Sequence, residues 1–272
     1  TAAGTDADLA WNSTTNTFDI TATWAGDDAT GTWTSTGWTE ATSQNFDSNS
    51  KCDFAVYNNK MWFVNGQTTN SNVLNFLDTS NTLTGLTTSS GLVSGINRLV
   101  LHLERFWISK GNNIYVSRQY PTGSDDDWDG GRVYSGSDAS GLIQLDNDTE
   151  DQIKSMVSHF GQLTVFREFR INVVTGKSIL TATIEKSFNS RGIIADFSVG
   201  RSDQSLYFLS REGVKRFQGI TTQDQTTQFD SISTVGLDRK IRTEIEAFSD
   251  QTAARGYAFK DKFYLSDGDS TI

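Results

Sequence analysis

The sequence predicts an all-β protein: a β-propeller of at least five blade-like repeats, some decorated, with a Trp/Thr-rich β segment before them and one short helix. The first observation behind this is a recurring aromatic and β-branched run followed by a polar turn. It appears at residues 60–66, 106–116, 163–173, 206–217 and 262–268. The second is the period: taking Trp62, Trp107, Thr164, Tyr207 and Tyr264 as equivalent, the steps are 45, 57, 43 and 57 residues. Blades of four strands repeat at about 40–50 residues. The third is that a second apolar run follows the turn in most copies, as a hairpin requires.

Residues 1–50 read as one segment and 51–272 as the blades. Within the first, Thr21-Ala22-Thr23-Trp24 and Thr30-Gly31-Thr32-Trp33-Thr34 alternate with period two, the pattern of half-buried strands. Trp11, Trp24, Trp33 and Trp38 are spaced through this polar stretch. They are expected to anchor thin β-layers, and Trp33 and Trp38 are the positions from which a sugar-stacking face would be built.

In the blades, Phe106 and Ile108 fall on one face of a strand, and Trp107 and Ser109 on the other. Lys110-Gly111-Asn112-Asn113 supplies a tight reversal, after which Ile114 and Val116 are expected to resume the buried face. A slip of one residue would turn that apolar set to solvent, so the register is specified. Leu206 and Phe208, the turn Arg211-Glu212-Gly213, then Val214 and Phe217 repeat the design. Residues 121–152 hold the one proline, Pro121, and two acidic clusters around Asp127 and Asp146. They read as an elongated loop with a short hairpin at Gly131 to Tyr134. Residues 153–160 fit both helical and strand periods and are assigned to a strand, because a blade is due there. Ile241, Ile245 and Phe248 sit at helical spacing within Leu237 to Ala254, which is assigned to the short helix.

Composition narrows the function. The formal charge is -10 with a pI near 4.7, the wrong sign for reading nucleic-acid sequence, since phosphate contacts draw on clustered Lys and Arg. No run approaches the roughly 18 apolar residues of a membrane span, and no basic-then-apolar leader opens the chain, so no membrane partner is expected. Thr1 in place of a Met, and a last strand so near Ile272, suggest an excerpt of a longer polypeptide. The single cysteine, Cys52, cannot form an internal disulfide and is expected to be a buried small hydrophobe.

The sequence shows no signature of catalysis. His102 and His159 are the only imidazoles, each within an apolar strand-like stretch, and are expected to be structural. There is no Gly-x-Ser-x-Gly elbow, His-Glu-x-x-His pair or phosphate-cradling glycine loop. Counted as an EF-hand from Asp146, position six is Asp151 and position twelve is Val157, where glycine and glutamate are needed. No metal, no cofactor and no catalytic residue is therefore assigned. If the propeller were a glycosidase, its carboxylate pair would come from Asp53, Asp196 and Glu104.

Four strings in order are similar to a phage family. Residues 97–108, then Gly111-Asn112-Asn113-Ile114-Tyr115-Val116-Ser117, then Asp125 to Trp128, form the first. Residues 161–171, 206–214 and 258–265 form the others. Their succession resembles the propeller-bearing tail hub, nozzle and packaged-DNA-stabilising proteins of short-tailed bacteriophages, the tail tubular protein B-like family. The likeness covers residues 96–272, is weak before 96, and departs at Asp126, where the family often has proline. It implies a non-enzymatic structural protein of the virion tail or neck, assembled in the host cytoplasm. Copies would form a ring of six between adaptor and tail proteins, around a channel through which double-stranded DNA passes without sequence-specific binding. The alternative is a carbohydrate- or receptor-binding propeller, and after it the glycosidase.

Overall fold

Tight two-residue reversals set the architecture. Asn58 and Asn59, Leu103 and Glu104, and Phe160 and Gly161 all have positive φ, between 48° and 71°. Paired left-handed residues give the turn whose twist matches that of the flanking strands. Each pair links the first strand of a sheet to its second: Tyr57 faces Lys60, His102 faces Arg105, and His159 faces Gln162. Lys260, with φ of 47°, stands at the same junction between Phe259 and Lys262.

In this computed structural model the described residues are 8–12, 17–24, 31–34, 52–66, 72–80, 82–87, 92–124, 127–128, 140–146, 150–189, 192–202, 205–217, 229–231, 237–260 and 262–267. The chain divides into two units, residues 1–45 with 77–83, and residues 46–76 with 84–272. In the first, β1 (Asp8–Asn12), β2 (Thr17–Trp24) and β3 (Gly31–Thr34) form an antiparallel sheet in that order, with Trp11 opposite Phe18 and Ala22 opposite Trp33. The side chains of Trp33 and Trp38, the expected sugar platform, lie outside the described residues.

The second unit is a succession of antiparallel meanders. The first sheet holds β4 (Asp53–Tyr57), β5 (Lys60–Val64), β6 (Asn72–Leu77) and β7 (Leu83–Thr87). The second holds β8 (Arg98–His102), β9 (Arg105–Lys110), β10 (Asn113–Val116) and β11 (Gly141–Gln144). The third holds β12 (Ile153–His159), β13 (Gln162–Arg167), β14 (Arg170–Thr175) and β15 (Thr183–Asn189). The fourth holds β16 (Gly200–Arg201), β17 (Leu206–Ser210), β18 (Gly213–Phe217) and β19 (Phe229–Ser231). The last is two-stranded, β20 (Arg255–Phe259) and β21 (Lys262–Ser266). Trp62, Trp107, Thr164, Tyr207 and Tyr264 all fall on the second strand of their sheets, so the repeat read from sequence is the blade repeat.

Blades stack face to face, and one apolar cluster fills each junction. Trp62 and Val64 of the first sheet meet Phe106 and Ile108 of the second, while Trp107 and Val116 on the second sheet's other face meet Leu163 and Val165 of the third. Phe166 and Val173 then meet Leu206 and Phe208, and Leu209 meets Leu265 and the helix. Aromatic pairs cross these seams: Trp62 and Phe106 at 4.7 Å, Phe166 and Phe208 at 5.1 Å, Tyr207 and Phe263 at 5.6 Å between centroids.

This corrects the expectation that each hairpin has one buried face. The turn pairs Ser109 with Ile114 and Trp107 with Val116, so Ile114 and Val116 extend the Trp107 face and not that of Phe106 and Ile108. Both faces are apolar because each has a neighbouring blade. Three further corrections follow. The 121–152 loop contains a strand, β11, which supplies the fourth strand of the second blade; the hairpin expected at 131–134 lies outside the described residues. The helix α1 spans Leu237–Glu246, not to Ala254, because Asp250 starts a separate 3-10 turn by accepting the Thr252 N–H at 2.8 Å. Cys52 is exposed: along β4 the even-numbered side chains face outward, and Cys52 has that parity. Residues 153–159 are the expected strand.

The inner edge needs a glycine. Gly256 donates its N–H to the Phe197 carbonyl at 2.8 Å, beside a parallel bridge between Phe197 and Arg255. A Cβ there would collide with the Ser198 carbonyl. Gly256→Ala is expected to cost about 1–3 kcal/mol through overpacking, and Trp107→Ala about 3–5 kcal/mol through the cavity it leaves. Both are measured by urea unfolding, with Leu142→Ala, at a half-exposed side chain, as the neutral control.

Candidate functional site

First strands lie side by side: β4 and β12 both pack on β8, and β16 packs on β20. They form the inner edge of the stack, and charged residues at their entry ends converge there. Arg98, at the start of β8, is 4% exposed. Its Nη2 pairs with Asp196 Oδ2 at 2.6 Å, its Nη1 donates to the Asn97 carbonyl at 2.5 Å, and its Nε donates to the Lys154 carbonyl of the next blade. The guanidinium lies 4.9 Å from the centroid of Phe197, which Arg255 flanks at 5.8 Å. Asp53, at the start of β4, accepts the Leu99 N–H at 2.9 Å. Burial pushes its carboxyl above the ordinary range, opposed by that N–H and the Arg98 charge.

Two of the three candidate glycosidase carboxylates are thus gathered around one arginine, and the third is not. Glu104 sits on the turn at the opposite end of β8, exposed, where hydrogen bonds from Tyr120 and Gln119 hold its carboxyl low. Asp196 accepts from Arg98, so the arrangement is a charge clasp across three blades. A glycosidase pair needs instead a protonated acid facing a second carboxylate across a sugar.

Three carboxylates among the described residues of the acidic clusters are also clasped. Asp127 is fully buried; its Oδ2 accepts the N–H groups of Thr122, Gly123 and Ser124 at 2.7–3.1 Å, and its Oδ1 meets Arg118 at 2.5 Å. Asp146 takes a bidentate grip from Arg167, at 2.5 and 2.9 Å, and a third contact from Arg170 at 3.0 Å. Asp151, 1% exposed, accepts the Phe169 N–H at 2.8 Å, and its backbone carbonyl accepts from Arg167 Nε. Carboxylates spent on arginines and backbone N–H groups do not surround a cation, and no His/Cys/Asp/Glu group able to hold a metal occurs among the described residues.

Both histidines end first strands and are buried. His102 Nδ1 lies 2.8 Å from Ser158 Oγ on the next blade, and its ring meets Trp107 edge-on at 5.5 Å. Burial lowers its pKa to about 4. Sequence reasoning missed the unit to which His102 belongs. An aromatic residue closes the first strand, and five positions on stands the repeat-defining residue: Tyr57 and Trp62, His102 and Trp107, His159 and Thr164, Phe259 and Tyr264. In the first two copies the indole Nε1 donates to the carbonyl of the strand-closing residue at 3.2 Å. The spacing of five was available in the sequence as a signal.

An open concavity lies beside the turn of the second blade. A cavity of about 790 Å³ is lined by Gly66 and Asn97, the Lys110–Asn113 turn, Tyr115, Gln144, Asp146 and Gln152. Five amides, Asn97, Asn112, Asn113, Gln144 and Gln152, stand in its wall with Lys110 and Asp146; Asn112 Nδ2 already donates to Asp146 Oδ1 at 3.1 Å.

Stacked four-stranded meanders joined through apolar seams define the class: the protein is a β-propeller. No protein-family model matches the chain, and no curated protein matches its sequence. Solved structures do resemble it. The extracellular domain of a putative hybrid two-component system from B. thetaiotaomicron superposes with a TM-score of 0.53 at 10% identity, over 93% of this chain and 29% of that one. An extracellular domain described for a putative one-component system of the same organism gives 0.52 at 11%, with the same coverage. The WD40 domain of SCAP from fission yeast matches at 0.45 and 10%, over 76% of this chain and 45% of that one. The chain spans under a third of the length of the first two, and at such identities the likeness is one of fold.

Two outcomes are expected. Arg167→Met removes the buried guanidinium shared by Asp146 and Asp151 and leaves both carboxylates with the partly exposed Arg170; it should lose up to about 3–5 kcal/mol in urea unfolding. His102 is neutral when folded, whereas the unfolded chain protonates it near pH 6.5. Stability is therefore fully present above that pH and falls as the pH drops from 6.5 towards 4, by about 3 kcal/mol at most. His102→Asn should show the shallower slope in Tm against pH over that window.

Proposed function

We propose that this chain is a non-catalytic structural component of a bacteriophage tail, the propeller of a hub or nozzle subunit that assembles as a ring of six around the DNA exit channel. One observation carries this reading: the four phage-like strings occupy consecutive blades in order. They lie on β8–β10, β13–β14, β17–β18 and β20–β21. The charge of -10 suits a wall past which DNA must slide, since an acidic lumen repels phosphate. Ring formation would give each subunit identical neighbours, with adaptor and tail proteins above and below.

A second reading rests on the amide-lined cavity, whose chemistry suits a neutral polyhydroxylated ligand such as a glycan. Three measurements test the readings. Negative-stain microscopy of the full-length protein should show rings, and gel retardation should show no binding of double-stranded DNA at low salt. A strictly monomeric full-length protein at high concentration would defeat the ring. Glycan-array binding that falls at least about tenfold in Asn97→Ala and Gln144→Ala would move the assignment to recognition.

A further inference from the structure

Within the second unit, the stack leaves an apolar face exposed at each end. On the first sheet Phe54, Val56 and Met61 are 66%, 68% and 42% exposed; on the last, Tyr257, Phe259 and Tyr264 are 65%, 50% and 39% exposed. Their positions in the repeat identify both faces. Counted from the first turn, Phe54 and Val56 stand where Leu99 and Leu101 stand in the second sheet, and those two pack on the preceding blade. Tyr264 stands where Trp107 and Thr164 stand, each 1% exposed or less, and Tyr257 where Val100 and Val157 pack on the following blade. The first sheet therefore exposes a face of the kind that receives a preceding blade, and the last a face of the kind that receives a following one.

We propose that both are blade–blade interfaces, each covered by a further propeller blade of the same polypeptide, which completes the ring. The inference is independent of the virion reading. The faces continue an interface already repeated at four junctions, and five sheets fall within the four to eight blades of closed propellers. Among the described residues the last sheet has two strands where the four before it have four. After β21 the sequence runs Asp267-Gly268, a pair suited to reversing a strand into a third.

Cys52 reports on the first face, because it shares the parity of Phe54 and Val56, is exposed, and is the only cysteine of the 272 residues. Its modification by N-ethylmaleimide is followed by peptide mass spectrometry in the full-length polypeptide and in the 272-residue chain. Protection of at least about tenfold in the full-length protein alone is expected. Val56→Asp should lower the Tm of the full-length protein by about 5 °C or more, because a carboxylate is forced into a covered seam, and leave that of the 272-residue chain within about 1 °C. Equal Cys52 rates in the two forms, or no Tm shift in the full-length variant, would overturn the proposal. So would protection in the 272-residue chain that grows with its concentration, since this assigns the face to a second copy.

Discussion

Burial of both faces of each interior sheet is the constraint on which the fold depends. Phe106 and Ile108 point to one neighbour and Trp107 to the other, and all three are fully buried. A lone sheet of this composition would present two apolar faces to water, and at roughly 25 cal/mol per Å² such exposure exceeds what a four-stranded meander can tolerate. Each blade is stable only as part of the stack, so the repeat in sequence is a consequence of the repeat in packing.

The polar groups inside serve the same stack. Arg98 ties its own blade to Lys154 of the next and to Asp196 beyond it. His102 reaches Ser158 across a seam, and Arg167 holds Asp146 and Asp151 of the loop that enters its blade. Arg98, Asp127 and Arg167 are tolerated inside because each is matched by a charge or a backbone group, whereas neither side-chain polar atom of the buried Asn75 is hydrogen-bonded. Two of the three carboxylates considered for a glycosidase pair, Asp53 and Asp196, thereby take part in this network, and Glu104 does not.

Much of this was legible beforehand. The second strands were marked by their aromatic runs, β12 by the blade due at that point, and the helix by Ile241, Ile245 and Phe248. Other features were not. β11 is four residues, Gly-Leu-Ile-Gln, inside a polar stretch, too short for periodicity to register. The turn at Leu103 and Glu104 lacks the Asn or Gly that announces a left-handed pair; the strands around it impose the conformation. Residue type points Cys52 inward, since cysteine is usually buried, whereas strand parity decides its side.

By itself the sequence determined the blade count it spans, the second-strand positions, and the absence of nucleophile, zinc and nucleotide signatures, because these depend on residue type and short spacing. Only the tertiary structure decided which face of each strand meets which neighbour, which carboxylates gather on Arg98, and which apolar faces stay open. Those depend on residues brought together across blades: Asp53, Arg98, Lys154 and Asp196 lie up to 143 positions apart in the chain and meet because four inner edges lie side by side. No local pattern encodes such a meeting, since it is set by how whole sheets stack.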